Sequence, residues 1–192
     1  MNNSVVVVTG GSGGIGKALI KKYLQEGSFV ISVDLENTTD FKDKNFTFFQ
    51  CDVEAENNIN DLFKLILKKH SRIDYFFSNA GILSLGDENS SNFDWEKNWK
   101  LHLMSHVFVS RKLLPIFKKQ NFGYFLITAS AAGLLTHIDS ITYSVTKHST
   151  IAFAEWIAIN NRQSNFYVSV ICPQAVRTNM TKGREKDVAA LD

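Results

Sequence analysis

Apolar and polar positions alternate along this chain in blocks that switch between strand-like and helix-like spacing. Val5, Val6, Val7 and Val8 form an unbroken β-branched run. Such a run predicts a strand whose two faces are both covered, as in a parallel sheet. Behind it, Ala18, Leu19, Tyr23 and Leu24 recur at helical spacing, which predicts an amphipathic helix. Further strands are predicted over 28–33, ending at Asp34, and over 46–50, 74–78, 124–129 and 166–171. The connection between Asp34 and the third strand is short and polar, so no full crossover helix is expected there. Ile59, Leu62, Phe63, Ile66 and Leu67 make a helical stripe. Helices are also predicted over 95–120, bent near the end by Pro115, and over 142–160. No linker, repeat or low-complexity tract interrupts the alternation. The expectation is an α/β protein, one domain spanning 1–192, built on a doubly wound parallel sheet with helices on both faces. The polar tail over 181–192 is expected to be flexible.

In such a sheet ligands bind beyond the carboxyl ends of the strands. Gly10, Asn79 and Ser130 stand at the ends of the first, fourth and fifth strands. The turn Gly10-Gly11-Ser12-Gly13-Gly14-Ile15-Gly16 follows the first strand at once. Glycines there leave no Cβ between main chain and ligand, and the helix start offers unpaired N–H groups to a pyrophosphate. A flexible linker of the same composition would lack the valines before it and the helix behind it. Asp34 lies eighteen residues past Gly16 at a strand end. A carboxylate there accepts from both ribose hydroxyls of an adenosine and repels a 2′-phosphate. With Leu35 beside it and Gly13 before Gly14, no basic neighbour is present. NAD is therefore expected over NADP.

Tyr143 and Lys147 are four residues apart, with Ser130 thirteen residues upstream of Tyr143. Four residues are about one helical turn, so phenol and ammonium share a face. The cation is expected to favour the phenolate and bring Tyr143 toward proton transfer near neutral pH. Taken alone, the pair equally suits an aromatic packed under a snorkelling lysine. Ser130, among Thr128, Ala129 and Ala131, would by itself read as a strand-end turn residue.

With these motifs in order, the chain resembles the short-chain dehydrogenase/reductase family, in its compact single-domain branch with a Rossmann-type sheet. The resemblance covers residues 4–180. Thr9 to Gly16 resembles the family's TGxxxGIG turn, and Cys51-Asp52-Val53 its adenine-contacting Asp-Val. Ser78-Asn79-Ala80-Gly81 is similar to its NAG segment, which implies that Asn79, Ala80 and Gly81 pass close to the cofactor. Ser130, Tyr143 and Lys147 fall where the family has its catalytic serine, tyrosine and lysine. The segment 173–178, with Val176 and Thr178, resembles the one that holds the nicotinamide carboxamide. The resemblance implies reversible hydride transfer between NAD(H) and a carbonyl or secondary alcohol, with Tyr143 as general acid and base. Ser130 would stabilise the oxygen, and Lys147 would tune the phenol and bind the nicotinamide ribose. No metal is implied.

His102 stands where the family has an asparagine that holds a water in a proton relay. Imidazole can relay protons too, so His102 is a further candidate beside the alternative of a polar niche between helices. Pro173-Gln174 replaces the usual Pro-Gly. Relatives continue past the sixth strand with a substrate-covering helix pair and a last strand. The sixth strand is accordingly expected to be an open edge and the pocket poorly lidded. A fragment, a trimmed tail and a naturally short member all remain open. A dinucleotide-binding sensor or scaffold with little turnover is the second class of function. An epimerase or dehydratase of the same superfamily would need a larger C-terminal domain.

Composition changes this picture little. The 192 residues, 44% hydrophobic, suffice for one buried core. A formal charge of +2, from 21 basic and 19 acidic residues, gives no reason to invoke nucleic acid or an anionic membrane. Lys68-Lys69-His70 and Lys118-Lys119 complement predicted helix C-termini. Two cysteines, Cys51 and Cys172, are too few for a disulfide framework, and with no spanning stretch or leader a cytoplasmic setting is expected. The pocket would be lined by 83–92, 131–138 and the tail, mostly apolar with His137 as a polar exception. That suits a medium-sized, partly hydrophobic carbonyl or alcohol substrate. A homodimer is expected, with a tetramer as the alternative, and Leu103, Val107, Phe153 and Trp156 are candidates for the contact.

Overall fold

Six strands lie side by side, all parallel, in the order β3-β2-β1-β4-β5-β6. They are β1 (Val5–Thr9), β2 (Phe29–Asp34), β3 (Phe46–Gln50), β4 (Tyr75–Ser78), β5 (Tyr124–Thr128) and β6 (Tyr167–Ile171). The helices are α1 (Gly14–Gln25), α2 (Glu56–His70), α3 (Asn92–Trp99), α4 (Ser105–Gln120) and α5 (Ile141–Asn160). This computed structural model describes residues 3–183; the expectation for the rest of the tail lies outside the described residues.

The four valines explain the two-sided cover. Val5 and Val7 pack with Ile59, Leu62 and Ile66 of α2, Leu113 and Phe117 of α4 and Ile157 of α5. Val6 and Val8 pack on the opposite face with Leu19, Ile20, Tyr23 and Leu24 of α1. Each such burial stabilises the fold by about 1.5–3 kcal/mol. A doubly wound α/β sheet is therefore present as expected, and β2 joins β3 without a helix between them.

The predicted 95–120 helix begins earlier and is not uniform. Ser91 caps it, its Oγ accepting the Asp94 N–H at 3.1 Å, which satisfies one of the first-turn donors. Between α3 and α4 the chain passes through a π turn, Lys100–Met104, with His102 at its centre. Pro115 lies inside α4 and does not end it. Among the described residues β6 is an edge strand. No helix of the described residues is long and apolar enough to cross a membrane.

Candidate active site

The carboxyl ends of all six strands, or the loops that follow them, border one cleft of about 890 Å³. Of the predicted residues, Gly10, Gly13, Gly14 and Ile15 line it from the turn, and Asp34, Asp52 and Val53 from the ends of β2 and β3. Asn79, Ala80 and Gly81 enter from β4, Ser130 from β5, Tyr143 and Lys147 from α5, and Val176 and Thr178 from beyond β6. Ser12, Gly16 and His102 do not line it. Gly16 and His102 are buried behind the lining, and Ser12 borders an adjoining pocket with Gly14 and Thr178.

Gly16 shows why the turn tolerates no side chain. A Cβ there would sit 2.1 Å from the Gly10 carbonyl oxygen, so the tight wrap from β1 into α1 exists only with glycine. Gly14 has a second reason: its Cβ would meet Thr178 Cγ2 at 2.4 Å, across the cleft. No side chain caps the start of α1 and no acid lies in its first turn. The exposed N–H groups and positive dipole end suit a diphosphate. Asp34 is oriented from both sides, Oδ2 accepting the Ser12 N–H at 2.9 Å and Oδ1 the Leu35 N–H at 2.8 Å. The Ser12 hydroxyl itself donates to the Glu36 carbonyl at 2.6 Å, which ties the turn to the loop after β2. These features fit an adenosine with free ribose hydroxyls.

Asn79 fastens three strand ends together. Its Nδ2 donates to the Thr9 carbonyl at 3.1 Å, and its Oδ1 accepts from Thr128 Oγ1 at 3.1 Å. Thr9 Oγ1 in turn accepts the N–H groups of Asn79 and Ala80 at 2.9 and 3.1 Å. Thr9 and Thr128 thus support the site; Thr9 already opens the glycine-turn motif, and the adjacency of the strands identifies Thr128.

Tyr143 is 9% exposed and Lys147 3%, one turn apart on α5 as expected. Lys147 Nζ stands 5.6 Å from the Tyr143 ring centroid and donates to the Thr128 carbonyl at 3.0 Å. Burial pushes the Lys147 ammonium down to about 8. Burial also raises the Tyr143 phenol above its ordinary range, with the Ser130 side chain acting in the opposite sense. This corrects the expectation that Lys147 holds the phenol partly ionised. In the chain alone desolvation outweighs the Ser130 hydrogen bond. Ser130 accepts the Ala132 N–H at 3.1 Å. The Ala131 N–H bonds the Pro173 carbonyl at 2.9 Å, which joins the β5 and β6 loops.

Behind this pair lie two fully buried imidazoles one turn apart. His102 Nε2 accepts the Ile82 N–H at 3.2 Å. That leaves the proton on Nδ1, which donates to Thr146 Oγ1 at 3.0 Å. Burial and the nearby Lys147 charge hold His102 well below the usual imidazole range, so it is neutral. Both ring nitrogens are engaged, and neither bonds the Tyr143 phenol or the Lys147 ammonium; Thr146 Oγ1 meets Tyr143 at its main-chain carbonyl, at 3.2 Å. His106 Nδ1 is 2.6 Å from Ser78 Oγ, while its Nε2 has no partner. His106 and Thr146 were not anticipated; nothing in their sequence neighbourhood marks them. Among the described residues no group of three or more His, Cys, Asp or Glu is arranged to hold a metal, and Cys51 and Cys172 are free thiols.

Comparison with known proteins agrees with this architecture. Peroxisomal hydratase-dehydrogenase-epimerase of Neurospora crassa is 30% identical over 207 residues, covering 99% of this chain and 23% of that protein. The chain therefore spans about a quarter of that relative. The NAD(+) 15-hydroxyprostaglandin dehydrogenase of Rattus norvegicus is 31% identical over 202 residues, covering 97% of this chain and 73% of that one. A short-chain dehydrogenase from Leptospira borgpetersenii with bound NAD+ superposes with a TM-score of 0.90 at 23% identity, over 97% of this chain and 77% of that one. The family model described as short chain dehydrogenase matches residues 4–189. With the glycine turn, the six-stranded order and these likenesses together, the chain belongs to the short-chain dehydrogenase family.

Proposed function

We propose that the protein is an oxidoreductase that uses NAD(H) to interconvert a secondary alcohol and a carbonyl compound, with Tyr143 as general acid and base. One observation carries this reading: Ser130 and Tyr143 border the same cleft as the glycine turn and Asp34. Gly13, Gly14 and Ile15 would receive the pyrophosphate, Asp34 the adenosine ribose, and Asp52 and Val53 the adenine. Asn79, Ala80, Gly81 and Lys147 would flank the nicotinamide ribose, and Val176 and Thr178 the carboxamide. The bound cofactor supplies the acceptor or donor of the hydride. Tyr143 Oη takes the alcohol proton in one direction and delivers it to the carbonyl oxygen in the other. Ser130 Oγ donates to that oxygen and stabilises the charge developing on it. Because burial favours the neutral phenol, proton loss from Tyr143 Oη depends on positive charge beside it. The Lys147 ammonium, directed by the Thr128 carbonyl, supplies that charge.

A carboxylate at Asp34 disfavours a 2′-phosphate, which supports NAD over NADP. The rat relative, named for NAD(+), agrees with that choice. The half-buried Leu103 and Val107 and the 65%-exposed Trp156 support a homodimer through α4 and α5, while Phe153 packs against the core of its own chain. Near-balanced charge and free thiols support a cytoplasmic setting without nucleic acid or membrane.

The test is NADH binding followed by fluorescence, then turnover of a panel of ketones and alcohols. Tyr143→Phe is expected to retain binding and lose activity by a factor on the order of 10²–10⁴. Binding without turnover, untouched by that substitution, would instead make the protein a dinucleotide-binding sensor or scaffold.

A further inference from the structure

We infer that the substrate carries its reacting carbon on an uncharged hydrocarbon chain or ring, laid in an apolar trough that runs from Ser130 and Tyr143 to solvent. This rests on the oxidoreductase reading above. The cleft does not end at the proposed proton-transfer pair. It continues between the segment after β5 and the segment after β6. There its walls are Leu83, Leu135, Ile138 and Met180. Leu135 is 67% exposed, Ile138 92% and Met180 46%. A single exposed apolar side chain is ordinary, but several bordering one cleft mark a surface made for an apolar ligand.

The charges of the cleft agree. Its lining includes two cations, Lys97 and Lys147. Lys97 is paired with Glu54 at 2.5 Å, beside Val53 at the end of β3. Lys147 is buried and bonded to the Thr128 carbonyl. Both are thus engaged, and the ionisable lining beside Leu135 and Ile138 in the chain is His137 and Asp139. The His137 main chain is held by Ser144 on both its N–H and carbonyl sides, at 3.0 and 3.3 Å. Among the described lining residues, a carboxylate or phosphate near the reacting carbon would meet no cation besides the already engaged Lys97 and Lys147. A polyol would give up water hydrogen bonds against leucine and isoleucine. Methylene groups lose nothing polar and gain by burial.

The magnitude makes the inference testable. Each methylene removed from water corresponds to about a fourfold gain in affinity. Alkan-2-ones from three to eight carbons, titrated calorimetrically into the protein with NAD+ present so that no hydride can be delivered to them, are expected to bind about fourfold more tightly per added methylene until the trough is filled. Leu135→Ser/Ile138→Ser is expected to bring that step below twofold. Turnover of the same series is measured separately. A graded affinity series without turnover of any member supports the trough and overturns the oxidoreductase reading. Turnover with an affinity series that is flat in chain length overturns the trough alone. Tighter binding of a 2-oxo acid or an open-chain sugar than of the alkanone of equal length also overturns it.

Discussion

His102 stands edge-on to the phenol of Tyr143, with 5.3 Å between ring centroids and 88° between planes. The same imidazole joins the segment after β4, through Ile82, to α5, through Thr146. It therefore sets the distance between the wall of the proposed nicotinamide site and the helix that carries Tyr143. The π turn supplies the inward register, since a π turn inserts an extra residue into the helix and redirects those beside it.

His102→Leu leaves the Ile82 N–H and the Thr146 hydroxyl without this partner. The Ile82 N–H is thereby orphaned, at about 1–3 kcal/mol, while Thr146 Oγ1 keeps its donation to the Thr142 carbonyl at 2.7 Å. The midpoint of thermal unfolding is expected to fall by roughly 2–12 °C. His102→Asn, which can still accept from Ile82, is expected to recover at least half of that loss. Because both ring nitrogens are engaged, the pH profile of kcat/KM is expected to show no step near pH 6.5 that His102→Asn removes. Finding one would make His102 a proton relay.

Lys147 gives a pH dependence of fixed sign. Its folded pKa, about 8, lies below the ordinary value of 10.5. The unfolded chain therefore binds more protons than the folded one across that interval, and stability rises with pH through it. Chemical denaturation of the wild type between pH 8 and 10.5 is expected to show this rise relative to Lys147→Met. Parallel curves for the two proteins would mean that the ammonium is solvated.

The glycine turn separates folding from binding. Gly16→Ala forces a Cβ against backbone at 2.1 Å and is expected to abolish both the fold and NADH binding. Gly14→Ala meets a side chain first, Thr178 Cγ2 at 2.4 Å, with Thr178 Cβ at 2.9 Å. It is expected to remain folded by circular dichroism and to bind NADH at least tenfold more weakly. Thr178→Gly in that background removes the obstructing atoms and is expected to recover part of the affinity.

Assembly through α4 and α5 predicts a dimer by analytical ultracentrifugation. Trp156→Glu puts a charge at an exposed apolar position of α5 and is expected to weaken the dimer by about 2 kcal/mol or more, the scale of a central aromatic contact. A monomeric wild type would refute the pairing.

Some features of the site were legible residue by residue because they depend on local chemistry. The glycine turn declares itself by the absence of side chains between a valine run and an amphipathic helix. Asp34 declares itself by its place at a strand end, and Tyr143 with Lys147 by their spacing. Others depend on atoms distant in sequence. Asn79 reads as one residue of a short motif until β1, β4 and β5 lie side by side. Only then do Thr9 and Thr128 become its partners. The Ser91 cap was present in the sequence as a serine three residues before an aspartate, and it moved the helix start back from residue 95 to Asn92.

By itself, then, the sequence determined the alternation of strand and helix, the glycine turn and the candidate residues of the site, because hydrophobic period and backbone sterics act over a few residues. Only the tertiary structure decided their state. Desolvation is a property of everything packed around a group, so burial reversed the expected direction for Tyr143 and drew Lys147 down to about 8. The same packing held His102 by both nitrogens, between the segment after β4 and α5.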